Sequence, residues 1–373
     1  MMHGELVSWR RDLHCIPEMG LMVPKTHAYL KSRLQGLRAQ IESVAGHGLV
    51  VFFDLGFENT IGFRADMDAL PLTEINEGPY RSTHHGVMHA CGHDAHMAMA
   101  LGLAHWVDTH RAELSVNVLI LFQPGEEQCL GAKLILDAGI IERFGVNHIF
   151  ALHVEPKLKV GQIGTMPGVL MAGSADVELV VRGASAHIAR AEEARDALAA
   201  GFLFYARTQA LAQAFQGTLP ILLKYGRFHS GTTHNIIASH CELAGSLRTF
   251  CAEDYAQMRQ QILDIAMQIA AETGVHMSVG VELRSPPLVN DPALFDWAKR
   301  SLPQFEFVDA FEPVYLAEDF AWFLRDAPGC LLYLGTDLGR MLHTPNFDID
   351  ERALSIGLEV LITLCRNAGN LSA

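Results

Sequence analysis

Residues 115–127, SVNVLILFQPGEE, decide the fold because they join a buried strand to a pair of acidic residues. Positions 115–123 are almost continuously apolar, which is typical of a strand that is buried on both faces of a parallel sheet. The strand breaks at a Pro-Gly pair, and Glu126 and Glu127 follow at once. We therefore predict a mainly parallel α/β sheet whose functional side chains lie at its carboxyl edge.

The same alternation of strands, polar strand ends and helices extends to both sides of this stretch. Strands are predicted at 51–56, at 59–71 with Asp66 and Asp68 near its end, and at 148–154 with His153 near its end. Apolar residues at helical spacing predict helices at 3–14, 25–36, 94–109, 131–139, 317–324 and from 350 onward.

The pattern changes near residue 168, where strands with alternating polar and apolar residues replace the buried ones. From Ser174 the order is strand, helix, strand, strand, helix, strand, which is typical of a ferredoxin-like unit with an antiparallel sheet. We therefore predict a mainly parallel-sheet α/β catalytic domain, residues 1–167 and 286–373, that carries an inserted ferredoxin-like α+β lid domain, residues 168–285.

Composition limits the function classes. The chain has 373 residues, a formal net charge of −14 and no basic stripe, so nucleic acid is not an expected partner. No apolar run is long enough to cross a bilayer, and residues 1–14 lack the apolar core of a secretion signal. Seven scattered cysteines indicate a reducing compartment rather than a disulfide framework. We expect a cytoplasmic protein without a membrane partner.

Residues of metal-ligand type recur at the predicted strand ends and in the adjoining turns. In VMHACGHDAHMAM (87–99), a thiol and an imidazole lie two residues apart, so both side chains can bind one ion. Any one such residue alone is more often structural, but their joint placement at one sheet edge favours a metal site. The predicted ligands are Cys91, His93, Glu127, His153 and His343. Five ligands exceed what one tetrahedral ion needs, and they suit two ions that share one ligand.

Glu126 is the predicted general base. Neighbouring side chains diverge in an extended turn, so Glu127 can bind metal while Glu126 faces a water whose pKa the metal has lowered. Asp68 is predicted to hold a metal-binding imidazole in the correct tautomer, and Asp66 either does the same or caps the turn. The alternative for the glutamate pair is two solvated acids in a loop.

Six motifs, in chain order RADMDALP, CGHDAH, FQPGEE, ALHV, AEDF and LHTP, resemble those of the dinuclear metallo-amidohydrolases related to hippurate hydrolase and the auxin-conjugate hydrolases. The resemblance covers essentially the whole chain. It implies the same two-domain arrangement, metal on the five predicted ligand positions and Glu126 as the base. Two divalent ions per subunit are expected, zinc or manganese first, with nickel and cobalt as alternatives.

The resemblance also implies a substrate class. It predicts a metal-dependent amidohydrolase that removes an acyl group, acetyl first, from an N-acyl amino acid. The specific expectation is N-acetyldiaminopimelate in lysine biosynthesis, because RRDLHCIPEMGL, LKVGQIGT, FHSGTTHNII and SLRTF are most similar to that branch of the family. A homodimer or homotetramer formed through the lid domain is the expected assembly.

The lid carries one departure from the family pattern. His187 is present and is the candidate donor to the reaction's oxyanion, but Ala191 and Glu192 stand where relatives have Pro-His. Glu192 favours an ammonium-bearing substrate, unless it only begins the following helix. Asn235 and Arg248 are candidates for binding the substrate carboxylate, with a turn residue and a surface cation as the alternative interpretations.

Two alternative functions stay open. The first keeps the chemistry and changes the substrate to hippurate-like aromatic N-acyl amino acids or short peptides. The second is a catalytically silent metal-binding relative, for which loss of Glu126 or of a ligand would be the sign, and the sequence has lost neither.

Overall fold

The chain divides into two units, and the computed structural model describes residues 2–309 and 311–371. The first unit comprises Met1–Leu170, Val289–Glu312 and Glu318–Ala373, and the second comprises Met171–Leu288 and Pro313–Ala317. The α-helices are, in chain order, α1 (Met2–His14), α2 (Pro24–Arg33), α3 (His93–Thr109), α4 (Gly131–Asp137), α5 (Ile140–Arg143), α6 (Ala197–Ala214), α7 (Ala252–Thr273), α8 (Pro292–Ser301) and α9 (Arg352–Asn367).

The strands belong to two larger sheets and one short ribbon. In chain order they are β1 (Gln40–Val44), β2 (Gly48–Phe53), β3 (Thr60–Asp66), β4 (Asn117–Gln123), β5 (Val146–Glu155), β6 (Gln162–Gly164), β7 (Gly168–Met171), β8 (Gly173–Arg182), β9 (Leu222–Ser230), β10 (His240–Thr249), β11 (His276–Ser285), β12 (Leu288–Asn290), β13 (Glu306–Val308) and β14 (Gly329–Gly335).

The sheet of the first unit runs in the order β1-β2-β4-β3-β5-β14-β6-β13. The central strands β4, β3, β5 and β14 pair in parallel, and antiparallel pairs occur toward both ends. Every residue of β3, β4 and β14 is buried, and for β4 the continuous apolar character of its segment predicted this burial. The prediction of a mainly parallel α/β sheet is therefore confirmed.

The parallel strands deliver the polar residues to one edge. β3 ends at Asp66 and β4 ends at Gln123, so Asp68 and Glu126 both lie two or three residues beyond a carboxyl end. β5 carries His153 two residues before its own end. Helix α3 begins at His93. Gly92 precedes it with a φ of +83°, a left-handed conformation that lets the chain turn into the helix.

The second unit has the order β8-α6-β9-β10-α7-β11, and its antiparallel sheet runs β11-β8-β10-β9. This is the ferredoxin-like arrangement that the alternating pattern predicted. Inward-facing residues of β8, such as Val177, Leu179 and Val181, are buried with residues of both helices. A separate apolar core thus supports this unit.

Two local predictions differ from the structure. The helix predicted at 317–324 is a 3₁₀ helix, Asp319–Arg325, and the strand predicted at 59–71 ends at Asp66. The residues after Asp66 leave the sheet, and the carboxylate of Asp68 accepts hydrogen bonds from the main-chain N–H groups of Glu126 and Glu127. Of the helices in the described residues, none combines the length and the apolar character that a bilayer span requires.

Candidate metal centre

The structure brings the five predicted ligands of the first unit together. The Sγ atom of Cys91 lies 3.5 Å from Nε2 of His153, and Nε2 of His93 lies 4.0 Å from Oε1 of Glu127. Nε2 of His343 lies 3.6 Å from the same glutamate oxygen. The ligand atoms of Cys91, Glu127 and His343 form one group in which all lie within 4.8 Å of one another. This spacing matches side chains arranged around a shared ionic centre.

Hydrogen bonds fix the histidines in the tautomer that metal binding needs. Nδ1 of His93 donates to the main-chain oxygen of Asp68 at 2.7 Å, and Nδ1 of His153 donates to the main-chain oxygen of Val154 at 2.8 Å. Each ring therefore carries its proton on Nδ1 and turns an Nε2 lone pair toward the cluster. This is how proteins orient imidazole ligands.

The same cluster contains buried polar atoms with no partner. Nε2 of His93 and Oε1 of Glu127 are both buried and make no hydrogen bond. Leaving such an atom unpaired costs about 1–3 kcal/mol of stability. The two unpaired atoms lie close together, which favours a bound ligand between them. Divalent cations fit this donor set, because a thiol, imidazoles and carboxylates are the side chains that bind them.

The electrostatics of the cluster also fit cations. Burial, followed by the charges of Asp68 and Asp66, raises the pKa of Glu127 to about 8. Burial, followed by the charges of Glu127 and Glu126, raises the pKa of the Cys91 thiol. Burial lowers the pKa of His153 to about 3. In each case the site disfavours the ionised side chain on its own, and a divalent cation would stabilise the thiolate, the carboxylate and the neutral imidazole together.

His96 and Asp66 lie beside the ligands but are already hydrogen-bonded. Nδ1 of His96 donates to Asp66 at 2.6 Å, and Nε2 of His96 accepts from the main-chain N–H of Val154 at 3.0 Å. Both ring nitrogens are thus used, although these side chains group with His93 and His153 within 4.8 Å. We interpret His96 as a support for the residue after His153 rather than as a ligand.

Asp68 holds two parts of the centre at once. Its carboxylate accepts from the main-chain N–H groups of Glu126 at 2.9 Å and of Glu127 at 3.2 Å. Its main-chain oxygen, not its carboxylate, orients the ring of His93, since the carboxylate lies 3.9 Å from Nδ1. The contact that the sequence predicted between Asp68 and an imidazole is thus made by the main-chain oxygen, while the carboxylate fixes the glutamate turn.

Glu126 faces further carboxylates and one cation. Its oxygen groups with those of Glu318 and Asp319 within 4.8 Å, and burial followed by the charge of Glu318 raises the pKa of Glu126. The buried Arg64 guanidinium donates to Glu318 and Asp319 at 3.0 Å and to Asp66 at 2.7 Å. A carboxylate with a raised pKa is suited to accept a proton and release it again.

Sequence analysis did not single out Arg64, His96 or the Glu318–Asp319 pair as part of the site. Arg64 lies two residues before Asp66 on one strand, so both side chains point to one face. His96 lies three residues after His93 on one helix face. These spacings were the available signals, but they specify only a shared face and not a partner.

The predicted lid residues belong to the second unit. His187 and Asn235 lie on adjacent segments there, because the N–H of Ile188 donates to the main-chain oxygen of Asn235 at 3.1 Å. Glu192 lies in the 3₁₀ segment Ile188–Glu193 and is exposed. Arg248 is half-buried on β10, in register with Ser174 and Leu222.

Comparison with known proteins places the chain in a family. A family model described as peptidase family M20/M25/M40 matches residues 62–367. The chain belongs to this family. N-acetyldiaminopimelate deacetylase of Leuconostoc mesenteroides is 34% identical over 371 residues, which cover 96% of this chain and 95% of the relative. The enzyme of the same name from Streptococcus sanguinis is 37% identical over 363 residues, covering 94% and 95%.

A solved structure extends the M20 assignment to the fold. A dinuclear metal-binding peptidase of the M20 family from Bacillus subtilis is 30% identical, covers 99% of both chains and superposes with a TM-score of 0.85. The predicted resemblance to dinuclear metallo-amidohydrolases is confirmed. As an M20 member the chain is a metal-dependent hydrolase of amide bonds, and its cofactor is a divalent metal.

Proposed function

We propose that this chain removes the acetyl group from N-acetyldiaminopimelate, giving acetate and diaminopimelate, in the cytoplasm as a step of lysine biosynthesis. The single observation that carries the hydrolytic part is the unpartnered pair of His93 Nε2 and Glu127 Oε1 beside the proton-accepting Glu126. The substrate part is supported by the relatives of that name at 34% and 37% identity.

Cys91, His93, Glu127, His153 and His343 would hold two divalent ions, zinc or manganese first and nickel or cobalt as alternatives. When bound, such ions polarise a carbonyl and lower the pKa of water toward neutrality. Glu126 accepts the proton of the attacking water on its carboxylate and later delivers it to the departing amine nitrogen. Asp68 keeps Glu126 in place through the main-chain N–H contacts.

The second unit would supply the contacts to the rest of the substrate. His187 donates to the oxyanion that forms on the former carbonyl oxygen. Asn235 and Arg248 bind the substrate carboxylate, Arg248 through its planar fork. Glu192, which is exposed, favours the free ammonium group at the far end of acetyldiaminopimelate over an apolar acyl group.

A turnover screen tests the substrate. The metal-loaded protein would be given acetyldiaminopimelate, hippurate and a set of acetylated amino acids, with the metals determined by elemental analysis. The proposal expects the highest kcat/KM for acetyldiaminopimelate and two ions per chain. A preference for hippurate would make the chain an aromatic N-acyl amino acid hydrolase, and bound metal without any turnover would make it a silent relative.

A homodimer through the second unit is part of the proposal, with a homotetramer as its larger form. Leu198, Phe202 and Tyr205 follow one another at helical spacing on α6 and are 47%, 62% and 39% exposed. Such a stripe is typical of an interaction surface. Phe202→Glu should lower the mass in light scattering, whereas Leu134→Glu, at a 43% exposed leucine of the first unit, should not.

A further inference from the structure

His343 is the most loosely supported of the candidate ligands. Its side chain is 55% exposed, and its φ of +59° is a left-handed conformation that a residue with a Cβ rarely adopts. About 250 residues separate it from Cys91. Such a residue keeps its position only when the surrounding structure fixes it, so the question is what holds its segment to the Cys91–His93 turn.

Arg10 of α1 links the two segments. It is fully buried, and its Nε donates to Asp94 at 2.8 Å while its Nη2 donates to Asp348 at 2.7 Å. Asp94 directly follows His93, and Asp348 lies five residues after His343. One planar guanidinium thus joins the segments that carry an early and a late ligand. A third, longer contact at 3.4 Å reaches Glu351.

Other contacts complete the junction: the Tyr80 hydroxyl donates to Asp348 at 3.0 Å, Nδ2 of Asn76 donates to the main-chain oxygen of Phe347 at 2.9 Å, and Nη1 of Arg340 lies 3.7 Å from Asp348. The N–H of His343 donates to the oxygen of Ala90 at 2.8 Å, and the N–H of Ile75 donates to the oxygen of Pro345 at 3.0 Å. These two main-chain bonds set the path of the segment but do not depend on charge. Burying an arginine gains little stability over an apolar side chain, whereas its fork imposes a defined geometry on the carboxylates that it joins.

We propose that Arg10 is a positioning residue for the metal centre, which holds the His343 segment against the Cys91–Asp94 turn so that His343 and Cys91 serve the same ion. The inference rests on the proposed two-metal function. The expected effect is selective. Weakening the Arg10–Asp348 contact should lower the affinity for the ion that His343 binds, and the affinity for the ion at His93 and His153 should stay unchanged.

The experiment uses two variants and one matched control. Asp348→Asn removes the charge from the arm toward His343 and keeps the Arg10–Asp94 pair, and Arg10→Lys keeps the charge but lacks the planar fork that spans both carboxylates. Asp350→Asn makes the same chemical change two residues along the same segment, at a carboxylate that pairs with Arg352. Metal affinity is measured by chelator competition, and the Cys91–cobalt charge-transfer absorption is recorded after titration with Co²⁺.

Wild type should bind two ions. In Asp348→Asn and Arg10→Lys one ion should bind within about threefold of wild type and the other about 10–100-fold more weakly, with an altered cobalt spectrum. Asp350→Asn should match wild type in both measurements. If Arg10→Lys does not fold, Asp348→Asn decides the question alone.

Three results would overturn the inference or its basis, and they are distinguishable. Two ions of wild-type affinity in Asp348→Asn and Arg10→Lys, with only a lower melting temperature, would make Arg10 purely structural. Equal weakening in Asp350→Asn would mean general loosening of the segment. Failure of wild type to bind two ions would reject the proposed two-metal function itself.

Discussion

At the scale of single residues, Glu126 and Glu127 are chain neighbours with different partners. Glu127 groups with Cys91 and His343, whereas Glu126 groups with the Glu318–Asp319 pair. Asp68 fixes the main-chain N–H groups of both residues, and both carboxylates also lie in one group with His93. The same amide substitution at the two positions should therefore have different effects.

Glu126→Gln should lower kcat by about 10²–10⁴-fold, because it removes the proton acceptor and no ligand. Metal content, measured by elemental analysis, should stay at the wild-type level. Glu127→Gln is the matched comparison and should lose metal together with activity. Activity within a few-fold of wild type in Glu126→Gln would reject its role as base.

Glu192→His tests the lid departure. If Glu192 faces the substrate, the change should shift the ratio of kcat/KM toward hippurate and away from acetyldiaminopimelate by about tenfold or somewhat more. If Glu192 only faces solvent near the end of the 3₁₀ segment Ile188–Glu193, the ratio stays unchanged. Measuring both substrates with both proteins distinguishes the two outcomes.

Residue types at strand ends were enough to predict which side chains lie close together, but not the hydrogen bonds around them. The sequence indicated that Asp68 belongs near an imidazole, yet it could not indicate that the main-chain oxygen makes this contact. That choice depends on the backbone conformation of the turn after β3, which the residue types do not specify. Arg64 was missed for the same reason, because its partners come from three chain segments.

At the scale of elements, the turn into α3 depends on Gly92. Its φ is +83°, and a Cβ there would lie 2.3 Å from Cγ2 of Val154. Gly86 has a similar φ of +78° with nothing within 4 Å of an added Cβ. An alanine at either position would strain the backbone, but only an alanine at Gly92 would also overlap with a neighbouring side chain.

Gly92→Ala should destabilise the protein by roughly 2–4 kcal/mol, from the left-handed backbone and the forced shift of Val154. Gly86→Ala should cost only about 1–2 kcal/mol, from the backbone alone. Denaturant unfolding of both variants measures the difference. Equal losses would show that Val154 yields without cost and that close packing does not restrict this turn.

Helix α1 contributes a pH-dependent contact, in which His14 binds Asp94 and Glu74. Burial alone would lower the pKa of His14, but the charge of Asp94 and hydrogen bonds to Asp94 and Glu74 raise it to about 9, against the nearby Arg10. A raised folded-state pKa stabilises the protonated fold, so this stabilisation is full below pH 6.5 and is lost as the pH rises through 9. By linkage it amounts to roughly 3 kcal/mol at most.

The comparison of wild type with His14→Gln measures this term. The difference in unfolding free energy between the two proteins should be larger at pH 6 than at pH 9.5, since only wild type carries the titrating ring. Equal differences at the two pH values would contradict a raised pKa at His14.

Among the elements, long periodic segments were predictable and short ones were not. Helix α3 and strand β4 lie within a few residues of their predicted positions. Strands β1, β6 and β13 were missed because three to five residues carry too little periodicity. The segment 317–324 read as an α-helix because its apolar spacing suits either kind of turn, and the capping bond from Glu318 selects the 3₁₀ form.

At the scale of the whole molecule, removal of metal should destabilise the fold. Without cations the buried cluster of carboxylates is balanced mainly by Arg64. Each ion at 100-fold excess over its Kd stabilises the folded state by about 2.7 kcal/mol. The apparent melting temperature should therefore fall by several degrees in EDTA and recover on adding back the metal.

Cys91→Ala supplies the control for metal removal. It should bind less metal, so its melting temperature should respond less to EDTA than that of wild type. An identical response in both proteins would remove Cys91 from the set of ligands. Because the chain divides into two units, the unfolding of the first unit should be followed separately. Tryptophan fluorescence does this, since all four tryptophans of the chain belong to the first unit.

The order of the segments along the chain also has a consequence for synthesis. Cys91 and His93 leave the ribosome first, the second unit follows, and His343 comes last, about 250 residues after Cys91. At 5–20 residues per second this interval lasts roughly 13–50 s. During that time the nascent Cys91 thiol lacks His343, so we expect the complete set of candidate donors to form only after the second unit has been synthesised.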